Sequence, residues 1–469
     1  MASVQRSAKR QRWIAIGVAV CASAVLLPWA VVRSAPVPIV QPVATTAVTQ
    51  AGLSQAPPSS KRRGLARVDL YPLPSPGTSA RSREDDLELH LFPDVTIRAV
   101  FERFDTVGGS GTWVGHVDGV PMSAVALAYR DGLLTGSVNT VDHLYDIQPV
   151  RDADRGEALH VVTEADRSQW SFGQDVTAPP SDTEALPFPP ASSLDGGDFV
   201  DLMVVYTAAG ARRAGGDTGI ANSIALGVSI TNAAYANSGI RHRLRLVHQG
   251  LVPYSEASGN LSSAESLTDL AQGRDGLSGV ATLRDTYGAD LVMLLADYTG
   301  FDREGRGFIS VRPSGGDPRL GFATGCPVGA YCLSLVFPHE LGHVMGSAHD
   351  WFEATRSGFS FGYGHVDLRQ RVMTLMSYPD RCLSQGLACG WINYFSNPDV
   401  EYIPGCSLTD YNCDLLRGWL YPRLVVGVDG GAPADCQPGV EPAAPCQADN
   451  RRLHDLTAPI VASYRQSRY

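Results

Sequence analysis

The residues best suited to chemistry lie together: His339, Glu340 and His343, then Gly346 and His349. Histidines four apart share one face of a helix, so His339 and His343 can bind one metal ion through their ring nitrogens. Glu340, one step round the helix, can reach a water held on that metal and act as its general base. Gly346 has no Cβ and can take positive φ, which ends the helix and turns the chain so that His349 returns as a third ligand. Three imidazoles with the fourth position open make the pattern of a catalytic zinc site, whereas a structural site fills all four, usually with thiolates. The bland alternative is a buried helix that happens to carry polar residues. Only 11 histidines occur in 469 residues, and five specified positions rarely align by chance.

The run resembles the metzincin zinc-binding motif HExxHxxGxxH, and Asp350 directly after the third histidine is similar to the reprolysin branch. Metzincins also carry a methionine turn beneath the zinc, and in Thr374-Leu375-Met376-Ser377-Tyr378-Pro379 the residue placed as that methionine is Met376. A thioether gives a polarizable floor that does not compete for the metal; without the motif upstream, such a methionine reads as core. Tyr378 matches the Met-x-Tyr arrangement of the astacin and serralysin branches, where the phenol binds zinc or stabilises the oxyanion. Reprolysins generally lack it, so a catalytic role for Tyr378 and plain packing both stand. Tyr394-Phe395-Ser396-Asn397-Pro398 and the segment from Asp449-Asn450 to Arg465 are similar to bacterial reprolysin-like peptidases, including the peptidyl-Asp metalloendopeptidase group. The resemblance covers residues 86–400 and the last twenty. It implies a zinc metalloendopeptidase with one catalytic Zn2+, in which Glu340 takes a proton from the attacking water and returns it to the leaving amine.

Charge is uneven along the chain. Residues 1–64 hold eight Lys/Arg and no Asp or Glu, leaving 48 acidic against 30 basic residues in the rest. An acidic body has no basic face to neutralise phosphates, which argues against nucleic acid as a partner and leaves proteins or peptides as substrates. Lys9-Arg10-Gln11-Arg12 precedes an apolar stretch, residues 13–32, in the layout of a signal peptide. The same twenty residues could be retained as a membrane anchor. Either way the body is secreted or lies in the periplasm or cell envelope.

Cysteine usage agrees. Apart from Cys21, all eight cysteines fall between Cys326 and Cys446, and an exported chain oxidises its thiols. Sequential pairs (326/332, 382/389, 406/413, 436/446) are the simplest connectivity, with a zinc–thiolate site as the rival.

The elements that must position the motif follow from periodicity. Residues 1–35 read as targeting sequence and 36–85, rich in Pro, Ser, Ala and Thr, as a disordered linker. Residues 86–165 alternate as strands (Leu87, Leu89, Leu91), with Arg130-Asp131-Gly132 as a hairpin turn, and form a small β-rich unit. A second Pro-rich linker spans 166–197. Residues 198–469 form the zinc domain, with a disulfide-bearing insertion at 401–446. Within it the strand Phe199 to Tyr206 is followed by a helix stopped at Ser238-Gly239, a strand with Leu244 and Leu246, helical residues 263–286 broken near Gly273, and the strand Asp290 to Ala296. Alternation of this kind predicts an α/β (α+β) metzincin-like domain with a twisted mixed sheet and an active-site helix. Residues 307–324 read as the sheet's edge strand and loop; in metzincins that strand runs antiparallel and pairs with extended substrate. Pro338 cannot donate to the carbonyl four residues back, which predicts a helix starting near Ser334 rather than a kink. The last helix takes Asp449 as N-cap and sets Leu453, Leu456, Ile460 and Tyr464 on one face.

A folded unit and a cleavable linker ahead of a zinc domain make a propeptide and a zymogen; a permanent accessory domain is the alternative. Latency could not use a cysteine switch, because no thiol lies between Cys21 and Cys326. Arg381, next to Cys382 in the loop after the methionine turn, suits an acidic residue on the carboxyl side of the cleaved bond, unless it simply points to solvent. A catalytically dead binding protein and an envelope-anchored scaffold are the rival functions. The first should have lost a ligand or the glutamate, and none is lost.

Overall fold

A computed structural model describes residues 37–43, 60–70, 73, 86–150, 159–167, 176–177, 198–256, 262–298, 305–353, 358–402, 424–428, 436–441 and 446–469. The segment 1–35 lies outside these. Among the described residues no helix is long and apolar enough to cross a membrane.

The N-terminal strands close into a barrel: β1 (Val37–Val43), β2 (Ser60–Val68), β3 (Leu87–Phe92), β4 (Val95–Val107), β5 (Ser110–Val117), β6 (Ala124–Arg130), β7 (Leu133–Asn139), β8 (Leu144–Pro149) and β9 (Leu159–Ala165). Leu87, Leu89 and Leu91 point into its core, as their alternation predicts. The β6–β7 hairpin turns on Asp131 and Gly132, both at positive φ (48° and 80°), the conformation that a two-residue turn of matching twist demands. Within 36–85, the described residues 37–43 and 60–68 are strands and not the expected linker. Here β1 and β2 complete the barrel, β1 pairing with both β2 and β3, and Ile39 and Val40 are fully buried. Closure removes the open edges that seven strands would leave, a long-range gain invisible in a Pro-rich composition.

The second sheet runs in the order β10-β14-β17-β13-β11-β12, where β10 is Val176–Thr177, β11 Phe199–Tyr206, β12 Arg243–Leu251, β13 Leu291–Leu295, β14 Gly305–Phe308 and β17 Phe322–Gly325. A two-residue hairpin, β15 (Val311–Arg312) and β16 (Gly315–Gly316), sits between the last two. β11, β12, β13 and β17 are parallel and β14 is antiparallel to β17, so the expected mixed sheet is present. The strands β11 and β13 are near-continuous apolar runs because helices cover both faces. β10, from the stretch read as the second linker, pairs parallel to β14, with Val176 opposite Gly307 and Thr177 opposite Phe308.

Helix α1 (Ala208–Ala214) is capped by Thr207, whose Oγ1 accepts from the Gly210 amide. Helix α2 (Asp217–Asn237) is followed by α3 (Ser263–Gln272), held by a Ser262/Glu265 capping box, and α4 (Val280–Tyr287). α2 is buried on nearly every face because it lies between the sheet and the barrel. Asn222 accepts from Ser110 Oγ at 2.9 Å and donates to the Leu133 carbonyl at 3.0 Å, while Ala126 and Ala128 share a core with Leu226 and Ile230.

The active-site helix departs from the expectation for Pro338. The chain makes a π turn, Cys332–Val336, that runs straight into α5 (Phe337–Val344) with the proline at its second position. The Phe337 amide donates to the carbonyl five residues back, Cys332. This wider turn accommodates a ring that has no N–H and crowds the preceding turn.

Beyond α5 come β18 (Val366–Asp367), β19 (Val372–Met373), α6 (Asp380–Ser384), β20 (Gly390–Trp391), β21 (Asn397–Tyr402), β22 (Leu424–Val426) and the last helix α7 (Asn450–Val461). Three expected disulfides are present, Cys326–Cys332, Cys382–Cys389 and Cys436–Cys446; the pair Cys406/Cys413 lies outside the described residues. Asp449 caps α7 as predicted, accepting from the Arg452 amide. Leu456 does not join the buried face: it is 48% exposed, and His454 and Thr457 stand in the core in its place.

Candidate functional site

Three imidazoles meet at the end of α5. Nε2 of His343 lies 3.0 Å from Nε2 of both His339 and His349, and the latter two are 3.3 Å apart. Local sequence sets this up. His339 and His343 share a helix face, and Gly346 at φ 103° closes the helix: its amide donates to the His343 carbonyl and the Ser347 amide to Gly342. This αL turn, which a side chain would strain, sends the chain back so that His349 faces the pair.

Hydrogen bonds fix which ring atoms face inward. His339 Nδ1 donates to the Leu375 carbonyl (2.6 Å) and His343 Nδ1 to the Ser347 carbonyl (2.8 Å). A carbonyl cannot donate, so each Nδ1 carries the proton and each Nε2 presents a lone pair to the shared point. Lone pairs converging in a buried site repel one another unless a cation lies between them. The donor set therefore fits a metal ion, and all-nitrogen ligation suits zinc.

Glu340 is buried beside them, against β14. A Cβ placed on Gly305 would come within 2.8 Å of Glu340 Oε1, and one on Gly307 within 2.7 Å of the Glu340 carbonyl. Two glycines thus let β14 lie directly over the active-site helix, a close approach that any side chain would block. Met376 is fully buried beneath α5, where a Cβ on Gly342 would meet its Sδ at 2.5 Å. Tyr378 stacks on His349, with ring centroids 4.3 Å apart, and lies 5.7 Å from His339.

Asp350 joins the motif to the methionine turn. Its Oδ2 accepts from the Tyr378 amide (2.9 Å) and its Oδ1 from the Phe352 amide (3.1 Å), while burial raises its pKa above the ordinary carboxylate value. Asp350→Asn replaces an accepting oxygen with an NH2 group facing a backbone N–H. The expected cost is about 1–3 kcal/mol of stability, measured by urea unfolding, together with loss of the Tyr378 stacking; an unchanged midpoint would show the carboxylate to be dispensable.

Arg381 does not point free into solvent. Its guanidinium holds the Glu441 carboxylate through Nε (3.0 Å) and Nη2, and Nη1 donates to the Val366 carbonyl (3.2 Å). Of His365 and His242, read from sequence as ordinary surface or core residues, His242 is core and His365 is half-buried; burial lowers the pKa of both, that of His365 to about 4. Sequence reading missed Ser347 and His454, which bond to each other behind His343 at 3.1 Å. A signal existed in the polar His454 and Thr457 interleaved with Leu453 and Ile460 on the apolar face of α7.

Residues 198–413 match the family described as metallo-peptidase family M12B, reprolysin-like. A peptidyl-Asp metalloendopeptidase of Pseudomonas aeruginosa is 31% identical over 207 residues, covering 38% of this chain and 32% of the relative. The chain thus spans about a third of that relative's length. Among solved structures, a chain of a chaperone–substrate complex is 17% identical with a TM-score of 0.38, covering 57% of this chain and 36% of its own. Metalloproteinase-II from Bacteroides fragilis is 11% identical with a TM-score of 0.35, covering 57% and 82%. These two overlaps are too slight to bear on the fold. The family match and the curated relative agree with the motif, and the part of the chain that carries it is similar to reprolysin-like metallopeptidases.

Proposed function

We propose that this chain is an exported zinc-dependent metalloendopeptidase, made as a zymogen, in which His339, His343 and His349 hold the ion and Glu340 is the general base. The convergence of three Nε2 atoms within 3.3 Å of one another, two of them with Nδ1 tied to a carbonyl, carries this reading. A bound zinc ion supplies Lewis acidity, lowering the pKa of a water and polarising a carbonyl. Every remaining task falls to the chain. Glu340 takes a proton at its carboxylate and returns it to the leaving amine. β14, once released from β10, offers an edge along which an extended peptide can add as a strand. The Tyr378 ring, packed on His349, is near enough to serve the oxyanion, though packing alone would also account for its position.

Three disulfides support an oxidising, extracytoplasmic location. The pairing of β10 with β14 supports latency, since the segment before the zinc domain occupies the edge that a substrate would need. A preference for an acidic residue after the cut would require Arg381 to release Glu441, which already takes its Nε and Nη2. Sequencing the new termini in a digested protein mixture tests this preference, and apolar enrichment there would count against it.

Metal uptake tests the site itself. The metal-free chain should take up one zinc ion per molecule, and His343→Ala, which removes the ligand nearest both others, should not. Equal uptake by the two would place the metal elsewhere.

A further inference from the structure

The turn between the second and third histidines is held from outside α5. The last carbonyls of a helix have no partner within it, and here the donors come from other elements. Val344 receives Ser310 Oγ at 2.7 Å, and Met345 receives Thr457 Oγ1 at 2.8 Å. Ser310 is in turn held by the Tyr464 hydroxyl, which donates to its carbonyl at 3.0 Å. Ser347 is the next link: its carbonyl accepts from His343 Nδ1, and its Oγ bonds His454 Nε2 at 3.1 Å. Thr457 and His454 stand on consecutive turns of α7, and Tyr464 follows the helix. The C-terminal segment therefore ties down the chain from Val344 to Ser347.

His454 is an odd choice for core packing. It is fully buried in an aromatic nest, 4.8 Å from Phe395, 5.4 Å from Tyr235 and 5.5 Å from the parallel ring of His242. Nδ1 has no hydrogen-bond partner among the described residues. Phenylalanine would fill that space without desolvating an imidazole, so packing alone does not account for histidine. What only the imidazole provides is the bond to Ser347 Oγ. Burial lowers its pKa to about 3, which keeps the ring neutral through the physiological range.

We propose that His454 is a positioning residue for the metal centre: from α7 it holds Ser347, so that the Ser347 carbonyl fixes the ring of His343 with Nε2 toward His339 and His349. The inference rests on the reading that the three histidines bind zinc. Partners of this outer kind typically contribute about 10–100-fold to metal affinity.

The test is zinc affinity of the full chain by chelator competition, for wild type, His454→Phe, His454→Gln, Ser347→Ala and the Ser347→Ala/His454→Phe double variant. His454→Phe and Ser347→Ala should each weaken zinc binding about 10–100-fold. The double variant should be no weaker than either single one, because both break the same bond. His454→Gln, which can still reach Ser347 through an amide, should recover part of the loss, and the visible spectrum of the cobalt-substituted Phe variant should shift. Should the Phe variant fail to fold, Ser347→Ala, which only removes a hydroxyl, reads the same link. Zinc binding within about twofold of wild type in folded His454→Phe or Ser347→Ala overturns the inference alone. A wild type that takes up no zinc overturns the metal reading and this inference with it.

Discussion

Glu340→Gln is expected to lower peptide hydrolysis by about 10²–10⁴-fold while zinc uptake stays at one ion per chain. Glutamine keeps the volume and polarity of a side chain buried between α5 and the glycines of β14, so the fold has no reason to change. The variant keeps all three imidazoles and both carbonyls that orient them. What it lacks is an oxygen able to accept a proton near neutral pH and give it back to the leaving amine. Metal content measured beside a fluorogenic peptide assay separates the two functions. Zinc retained with activity within about tenfold of wild type would assign the proton to another group.

Cutting the chain between β10 and β11 is expected to raise activity about 10- to 100-fold, since a tethered segment competes with substrate at millimolar effective concentration. The segment 178–197, which holds Pro179-Pro180 and Pro189-Pro190, joins β10, the strand paired on β14, to β11. Once cut, β10 is no longer anchored on that side, although the barrel keeps its own contacts with α2. A double variant, Val176→Pro with Thr177→Pro, removes the N–H that one of these adjacent residues turns toward β14 and should raise basal activity without a cut. Mercurials should do nothing, because no cysteine lies between Cys21 and Cys326. Unchanged activity after a cut verified by terminal sequencing would show that the segment is not inhibitory.

The metal motif was legible because its parts are local: helix spacing places His339 and His343 together, and one glycine at positive φ brings His349 back. The strands β11 and β13 were legible as apolar runs, and Asp449 as a cap. What escaped depends on distant partners. β1 and β2 are strands only because β3 and β9 wait for them, and nothing in a Pro- and Ala-rich stretch announces that. β10 exists only as an addition to β14. Pro338 was judged by α-helical geometry, and a π turn is a rarer solution that depends on the surrounding packing. Leu456 fits the helical period, yet the face that α7 buries carries His454 and Thr457, which hydrogen-bond the turn after His343.

In the proposed function, this site cuts peptide bonds with a metal held by His339, His343 and His349. The most direct measurement is digestion of a denatured protein mixture by the purified, linker-cut chain, followed by mass spectrometry of the products, with chelator, without it, and with zinc restored. Internal cleavage that vanishes with chelator, returns with stoichiometric zinc and is absent throughout in His343→Ala is the predicted result. Cleavage that persists in chelator, or that His343→Ala performs as well as wild type, would contradict it.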